Sequence, residues 1–203
     1  MAKPMQHLNG AILCAIDIET TGLRADQHDI IQIAILPIDG YLQLDKTRRI
    51  FAIDPMKPRR PENADEKAMR ISKSDLANCL IRGMDAYKAA DLFVSWWEKL
   101  GMAPGKRLQP LACNWVFERA FLIDWLGFET FDMIFDARYR DVMTNAIFAN
   151  DRASWEQEPY PFPKVNLEYL CTKLQIERTA RHNALDDARV TIEVFRRQVQ
   201  GII

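Results

Sequence analysis

Two carboxylates stand at the end of an apolar run near the start of the chain. The run from Ala11 to Ile16 is apolar and leads into Asp17 and Glu19, a pattern typical of a buried strand. Side chains alternate along a strand, so these two acids would share one face. Two carboxylates this close repel each other unless a positive charge lies between them. The alternative is that the strand has already ended and both acids are solvated.

A third carboxylate, Glu118, interrupts a helix predicted between Trp115 and Leu126. Its apolar side is marked by Phe117, Phe121 and Trp125, which recur at helical spacing. Glu118 falls at the edge of that side. The alternative interpretation is a surface glutamate that pairs locally with Arg119.

The last predicted helix, residues 184–199, begins with two acids. At 3.6 residues per turn, Asp187 lies close to the apolar stripe, whereas Asp186 points to the opposite side and would be solvated. His182 precedes Asp187 by five residues. A lone histidine is commonly structural, so both a structural and a catalytic role stay open for it.

Together these positions provide a cluster of carboxylates and one titratable base. Oxygen ligands suit Mg²⁺ or Mn²⁺, whereas zinc favours His and Cys. Four acids with a base are the composition of a two-metal site for phosphoryl transfer. Periodicity alone does not show that the three segments meet in space.

The elements that must position these residues are strands first and helices afterwards. Asp39-Gly40 between apolar runs indicates a hairpin,, so the chain is predicted to open with an antiparallel meander. The predicted strands cover residues 11–19, 30–38, 41–44, 50–53 and 108–113. The predicted helices cover residues 85–100, 115–126, 166–174 and 184–199. Proline-rich stretches at 54–61 and 151–163 are predicted to be irregular.

This order implies an α/β sandwich around one mixed sheet, and we expect a single domain over residues 1–203. Hydrophobic residues make up 48% and charged residues 27% of the chain, which excludes a disordered chain and a coiled coil. The four cysteines are far apart, which favours reduced thiols over a zinc site or a disulfide framework. The chain lacks the layout of a signal peptide and a long apolar segment, so we expect a cytoplasmic protein with no membrane partner.

Three motifs resemble those of the DEDDh family of 3′-5′ exonucleases, which includes RNase T and the proofreading epsilon subunit of DNA polymerase III. They are Asp17-Ile-Glu-Thr-Thr-Gly22, Asn114-Trp-Val-Phe-Glu118 and His182-Asn-Ala-Leu-Asp-Asp187-Ala. Their order and spacing agree with the family over about residues 11–199, which leaves residues 1–10 as an N-terminal extension. The second motif departs from the family pattern, because it has Glu118 in place of Asp and Cys113 in place of His. We interpret Cys113 as a core residue.

The resemblance implies a ribonuclease H-like mixed β-sheet flanked by α-helices and two Mg²⁺ or Mn²⁺ ions in each active site. In similar enzymes the residue at Asp17 bridges both metals, those at Glu19 and Asp187 complete the tighter site, and that at Glu118 serves the second. His182 would act as general base on the attacking water. The longer Glu118 side chain affects rate and metal preference more than reaction class.

The substrate implied by the resemblance is a single-stranded nucleic acid with a free 3′ end. The residues expected to contact it are Thr20, Thr21, Gly22, Asn114, Trp115, Phe117 and Arg181. Gly22 would leave room for the terminal nucleotide. Of the basic clusters, the pair Arg178 and Arg181 is the exception, because Arg181 adjoins His182 and could hold the backbone near the scissile phosphate, whereas the other basic clusters would be solvated. Trp115 and the loop from Trp155 to Phe162 offer faces on which a base could stack, at about 1–3 kcal/mol each. Core packing of Trp115 and a loop without a fixed role stay open.

The motifs do not separate RNA from DNA substrates. The chain ends soon after the last predicted helix, which favours a free-standing RNA-trimming or DNA-degrading enzyme, and many similar enzymes are homodimers. The rival interpretation is a catalytically impaired nucleic-acid-binding module on the same fold, with Glu118 as the sign of lost activity. The net charge of −1 does not exclude a nucleic-acid partner, because two divalent cations would add about four positive charges at the site.

Overall fold

The computed structural model describes Met5 and residues 7–201. Five strands form one sheet in the order β3-β2-β1-β4-β5. The β1-β2 and β2-β3 pairs are antiparallel, and the β1-β4 and β4-β5 pairs are parallel. The strands are β1 (Ile12–Thr20), β2 (Ile30–Ile38), β3 (Phe51–Ile53), β4 (Leu108–Ala112) and β5 (Arg140–Asp141). The sheet is therefore mixed, as the sequence predicts.

Helices cover both faces of this sheet. They are α1 (Glu66–Ile71), α2 (Leu76–Arg82), α3 (Ala86–Glu98), α4 (Trp115–Leu126), α5 (Phe128–Ile134), α6 (Val142–Trp155), α7 (Leu167–Lys173) and α8 (Ala184–Val199). Side chains from α3, α4 and α5 form the hydrophobic core on one face. Those from α6, α7 and α8 form the core on the other face. This arrangement confirms the predicted α/β architecture with a mixed sheet between helices.

The period of two along β1 decides where its acids point. Cys14 and Ile16 belong to the core under α3 and α4, whereas Leu13 and Ala15 belong to the core under α8. Asp17 and Glu19 continue the second series, so they lie on the face that α8 covers. Helix α8 packs directly on β1 and β2.

The predicted strand at residues 41–44 is wrong. The Asp39 carboxylate accepts hydrogen bonds from the amides of Tyr41 and Gln43, each at 2.9 Å, and Leu42 has a φ of 60°. An aspartate that binds the backbone amides after it closes a turn and competes with strand pairing. Only an isolated bridge joins Leu44 to Ile38, and the chain rejoins the sheet at β3.

The irregular stretch predicted from residue 151 begins later, because α6 continues to Trp155. Residues 142–155 contain no glycine or proline, so nothing in them breaks a helix, and the prolines begin at Pro159. The following loop is tied down at Phe162, which is 1% exposed. Its backbone amide and carbonyl both hydrogen-bond to the Asn150 side chain, at 2.9 and 2.7 Å.

Two further findings concern thiols and membranes. Cys14, Cys79, Cys113 and Cys171 are all free thiols. In the part of the chain that the structure describes, no helix has the length and apolar character needed to span a bilayer.

Candidate active site

The structure brings the acids of the first and third motifs together with His182. One ligand atom from each of Glu19, His182 and Asp187 lies within 4.8 Å of the others. Asp17 lies beside them, and a cavity of about 450 Å³ opens onto all four residues. Its remaining lining residues are Ile18, Cys113, Asn114, Met143, Asn166, Leu167, Glu168 and Arg178.

The second motif enters the site through a sharp turn between β4 and α4. Asn114 has a left-handed backbone, with φ 81° and ψ 55°, a conformation that asparagine tolerates better than most residues. The turn places Glu118 in the first helical turn of α4, where its side chain is only 4% exposed. The interpretation of Glu118 as a surface glutamate paired with Arg119 is therefore wrong. Arg119 is exposed and lies over the ring of Phe131.

Burial and mutual repulsion raise the pKa values of the carboxyl groups at this site. Burial raises the pKa of Asp17 well above its usual range, and Asp187, Glu19 and Glu118 raise it further. Burial and Asp187 raise the pKa of Glu19 to about 7, although Arg178 opposes them. Burial also raises the pKa values of Glu118 and Asp187. These carboxyl groups therefore destabilise the folded chain when they are ionised.

This cluster fits divalent cations. Glu118 Oε2 is buried and finds no hydrogen-bond partner within the described residues, and a buried carboxylate oxygen without a partner is costly. Glu19, His182 and Asp187 offer ligand atoms close enough to share one ion. The donors are mainly carboxylate oxygens, which match Mg²⁺ and Mn²⁺ better than softer metals.

The comparison with known families agrees with this chemistry. The RNase T family of exonucleases matches residues 14–195 of the chain. The chain belongs to this exonuclease family. The resemblance drawn from the three motifs is therefore confirmed, and the exonucleases of this family depend on divalent metals.

Solved structures with the same fold include three nucleases. Cell-death related nuclease 4 has a TM-score of 0.72 at 13% identity, with 94% of this chain and 64% of that chain covered. Escherichia coli exonuclease I in complex with a dT13 oligonucleotide has a TM-score of 0.68 at 18% identity, with 95% and 42% covered. A 3′-exonuclease that recognises the 3′ end of a histone mRNA stem-loop has a TM-score of 0.67 at 13% identity, with 94% and 64% covered.

This chain spans less than two thirds of each of those chains. Among curated proteins compared by sequence, none matches it significantly. The likeness to the solved structures confirms the predicted ribonuclease H-like fold.

The loop after β1 is held by its own hydrogen bonds. The Thr20 hydroxyl donates to the carbonyl of Gly22 at 2.6 Å, and the Thr21 hydroxyl accepts from the amide of Asp29 at 2.9 Å. A Cβ atom added at Gly22 would lie 2.1 Å from the His28 ring. The space left by Gly22 is therefore filled by His28 of the same chain, and not, as the sequence suggested, kept for a nucleotide.

The aromatic residues of the second motif lie in or against the core. Trp115 is 2% exposed and stacks on Phe131 at a centroid distance of 6.3 Å. Phe117 is half-buried against Phe121, and their ring centroids are 4.9 Å apart. Core packing is thus the observed role of Trp115, because its indole has no face free for a base. Trp155, in contrast, is 89% exposed.

Two charged residues near the third motif differ from the sequence prediction. Asp186 is buried, not solvated, and accepts hydrogen bonds from the Thr179 hydroxyl and, at 3.1 Å, from the amide of Ala180. It thereby anchors the loop that leads into α8. Arg181 is exposed and paired with Glu168 on α7. Glu168 lines the cavity, whereas Arg181 is not among the lining residues.

Asp141 is a supporting residue that the sequence analysis missed. It is 5% exposed, and its carboxylate accepts hydrogen bonds from two amides at the start of α6, of Met143 at 2.8 Å and Thr144 at 3.2 Å. It also accepts from the amides of Asn114 at 3.3 Å and Trp115 at 2.7 Å. An acid directly before a helical run was the available signal, because aspartate is a common N-cap. Asp141 fixes the turn that presents Glu118.

We expect Asp141→Ala to lower the free energy of unfolding by roughly 2–4 kcal/mol, because it removes an N-cap and leaves further buried amides unpaired. Urea denaturation followed by circular dichroism measures this. The matched control is Asp85→Ala, which removes the exposed N-cap of α3 and should cost only about 1 kcal/mol. Equal losses in the two variants would contradict the bridging role of Asp141.

In the presence of chelator, we expect the Tm to rise as the pH is lowered from about 8.5 to about 6. A carboxyl group whose pKa is raised in the folded state contributes stability that is lost as the pH rises through that folded pKa, which is about 7 for Glu19. Mg²⁺ or Mn²⁺ should restore the Tm, and by more at the higher pH, because metal binding requires ionised ligands. Differential scanning fluorimetry tests both trends, and an equal metal-induced shift at the two pH values would be the contrary result.

Proposed function

We propose that this nuclease is a metal-dependent 3′-5′ exonuclease that hydrolyses phosphodiester bonds from the 3′ end of single-stranded nucleic acid. The observation that carries the proposal is the convergence of Asp17, Glu19 and Asp187 with His182 at one cavity, with the buried Glu118 nearby in α4. The cavity of about 450 Å³ is within the size range of small-ligand sites. This size is compatible with a terminal nucleotide.

Four carboxylates would hold the cations. Asp17 is proposed to serve two Mg²⁺ or Mn²⁺ ions, with Glu19 and Asp187 on one and Glu118 on the other. Such a pair stabilises the developing charge on the attacking and leaving oxygens of the phosphodiester. Glu118 does not line the cavity. It can therefore help to bind the second cation only if that cation lies on the interior side of the site, next to its buried carboxylate.

His182 is proposed as the general base. Its ring lies beside Glu19 and Asp187 and borders the cavity, so a nitrogen of the imidazole can take the proton of the attacking water. Because His182 has a left-handed backbone, with φ 57°, its ring position depends on the loop that Asp186 anchors.

The alternative is a catalytically impaired module that binds nucleic acid without cutting it. The specific observation in its favour is that Glu118 replaces the usual shorter acid and lies outside the cavity lining. Both readings share the fold and the substrate class. They differ only in whether the bound strand is shortened.

A digestion series separates these functions. Single-stranded DNA and RNA of the same sequence, each labelled at the 5′ end, are incubated with Mg²⁺, Mn²⁺ or chelator. The proposal expects a metal-dependent ladder that shortens from the 3′ end, and no shortening with Asp187→Asn. Internal cuts or release of the 5′ label as a mononucleotide would refute 3′-5′ exonuclease activity. Binding without any cleavage would establish the impaired module. Comparison of the DNA and RNA strands shows which nucleic acid is the substrate.

A further inference from the structure

Among the described residues, Arg178 is the one arginine or lysine that lines the cavity. It lies in the loop between α7 and α8, and its side chain is only 8% exposed. Its Nη2 atom forms an ion pair with Oδ1 of Asp187, and the residue lines the cavity together with Glu19 and His182. The exposed Arg181 is not among the lining residues, but it pairs with Glu168, which is one of them.

The guanidinium of Arg178 is not fully satisfied by this pair. Its Nε atom is buried and finds no hydrogen-bond partner among the described residues. A buried donor without an acceptor is costly, and arginine presents its donors in a fork that matches two oxygens of a phosphate. Arg178 therefore has both the position and the free donor to bind an anion that enters the cavity.

Arg178 and a divalent cation would compete for the same carboxylate. Both are positive, and both would use Asp187, which is 10% exposed in its side chain and is a metal ligand in the proposed function. Charges that share one carboxylate in a poorly solvated site repel strongly. Occupation of Asp187 by the cation should weaken the hold of Asp187 on the guanidinium.

We propose that Arg178 exchanges partners during the catalytic cycle. It pairs with Asp187 until a divalent cation takes that carboxylate, and then binds a phosphate oxygen of the nucleic-acid end. The phosphate part of this inference rests on the proposed function. The exchange makes cation and phosphate binding mutually favourable, because each draws Arg178 away from Asp187, and such coupling is reciprocal.

Calorimetric titration with Mn²⁺ tests the exchange without measuring turnover. Arg178→Met should bind Mn²⁺ roughly tenfold tighter than the wild type, because the competing charge is gone. Thymidine 5′-monophosphate should tighten Mn²⁺ binding to the wild type by roughly tenfold more than it does in Arg178→Met. Arg189→Met, which changes an exposed arginine of α8, is the matched control and should behave as the wild type.

Equal or weaker Mn²⁺ binding by a folded Arg178→Met would overturn the exchange and leave a purely structural ion pair. If that variant does not fold, the titration of the wild type is the test. The exchange is also overturned if thymidine 5′-monophosphate does not change the Mn²⁺ affinity of the wild type. Arg178→Lys, which keeps the charge but loses the fork, should retain the wild-type Mn²⁺ affinity and lose most of the coupling. A chain that shows the coupling but digests no nucleic acid would refute the proposed function alone. A chain that digests nucleic acid but shows no competition between Arg178 and Mn²⁺ for Asp187 would refute the exchange alone.

Discussion

Replacing His182 with Ala should lower kcat by about 10²–10⁴-fold, the usual contribution of a general base. The imidazole borders the cavity next to Glu19 and Asp187, and no other histidine lines that cavity within the described residues. Metal affinity should change little, because the carboxylates remain. Steady-state kinetics on a labelled single strand, together with Mn²⁺ calorimetry, measure the two effects separately.

The left-handed backbone of His182 calls for a second variant. His182→Asn removes the imidazole but keeps a residue type that tolerates this conformation, so it should lose as much activity as the alanine variant. If the asparagine variant stayed active, the loss in His182→Ala would come from the backbone. His7→Ala, which removes an exposed histidine that contacts Arg140, should leave kcat unchanged. A large loss of Mn²⁺ affinity in both His182 variants would instead show that His182 is a metal ligand.

Asp17→Asn should have two effects of opposite sign. It should lower kcat by roughly 10³-fold, because a preorganised charge at the reacting centre is lost. At about pH 8 with chelator, it should raise the free energy of unfolding, because the ionised Asp17 of the wild type destabilises the folded state. The reason is that a neutral amide avoids the cost of burying a charge and relieves the repulsion that Asp187, Glu19 and Glu118 exert on Asp17.

The stabilisation by Asp17→Asn should shrink as the pH falls. The raised pKa of Asp17 means that the wild-type group becomes protonated, and therefore neutral, on the way to acid pH. Urea denaturation at several pH values follows this trend. Asp91→Asn, at an exposed position of α3, should change neither kcat nor stability. Destabilisation by Asp17→Asn at every pH would show that Asp17 is held by favourable contacts, contrary to the raised pKa.

Local patterns predicted much of the site, strands β1 to β4 and helices α3, α4, α7 and α8, but they missed α1, α2, α5, α6 and β5. The alternation along β1 correctly placed Asp17 and Glu19 on one face, because the two-residue period of a strand is a local property. The helical periodicity of α8 correctly turned Asp187 toward the sheet, and glycine at position 127 ends α4 where expected. These features depend on residues close together in the chain.

The features that were missed depend on contacts between distant segments or on side chains that fold back on the backbone. Asp186 was predicted to be solvated from its angle on the helix, but in the first turn of α8 it reaches back to the preceding loop. The burial of Glu118 depends on how α4 docks against β1. The pairing of Arg178 with Asp187 depends on the path of the loop before α8. No periodicity contains that information.

The order of these elements along the chain affects when the carboxylate cluster assembles as the chain folds. Asp17 lies in β1, whereas Asp187 lies far along the chain in α8. Contacts this far apart in sequence form late because a long loop must close first. Helices such as α3 and α6 rely on local bonds and can form earlier. The carboxylate cluster is therefore complete only in the finished tertiary structure, and a partly folded chain with native-like helices would lack it.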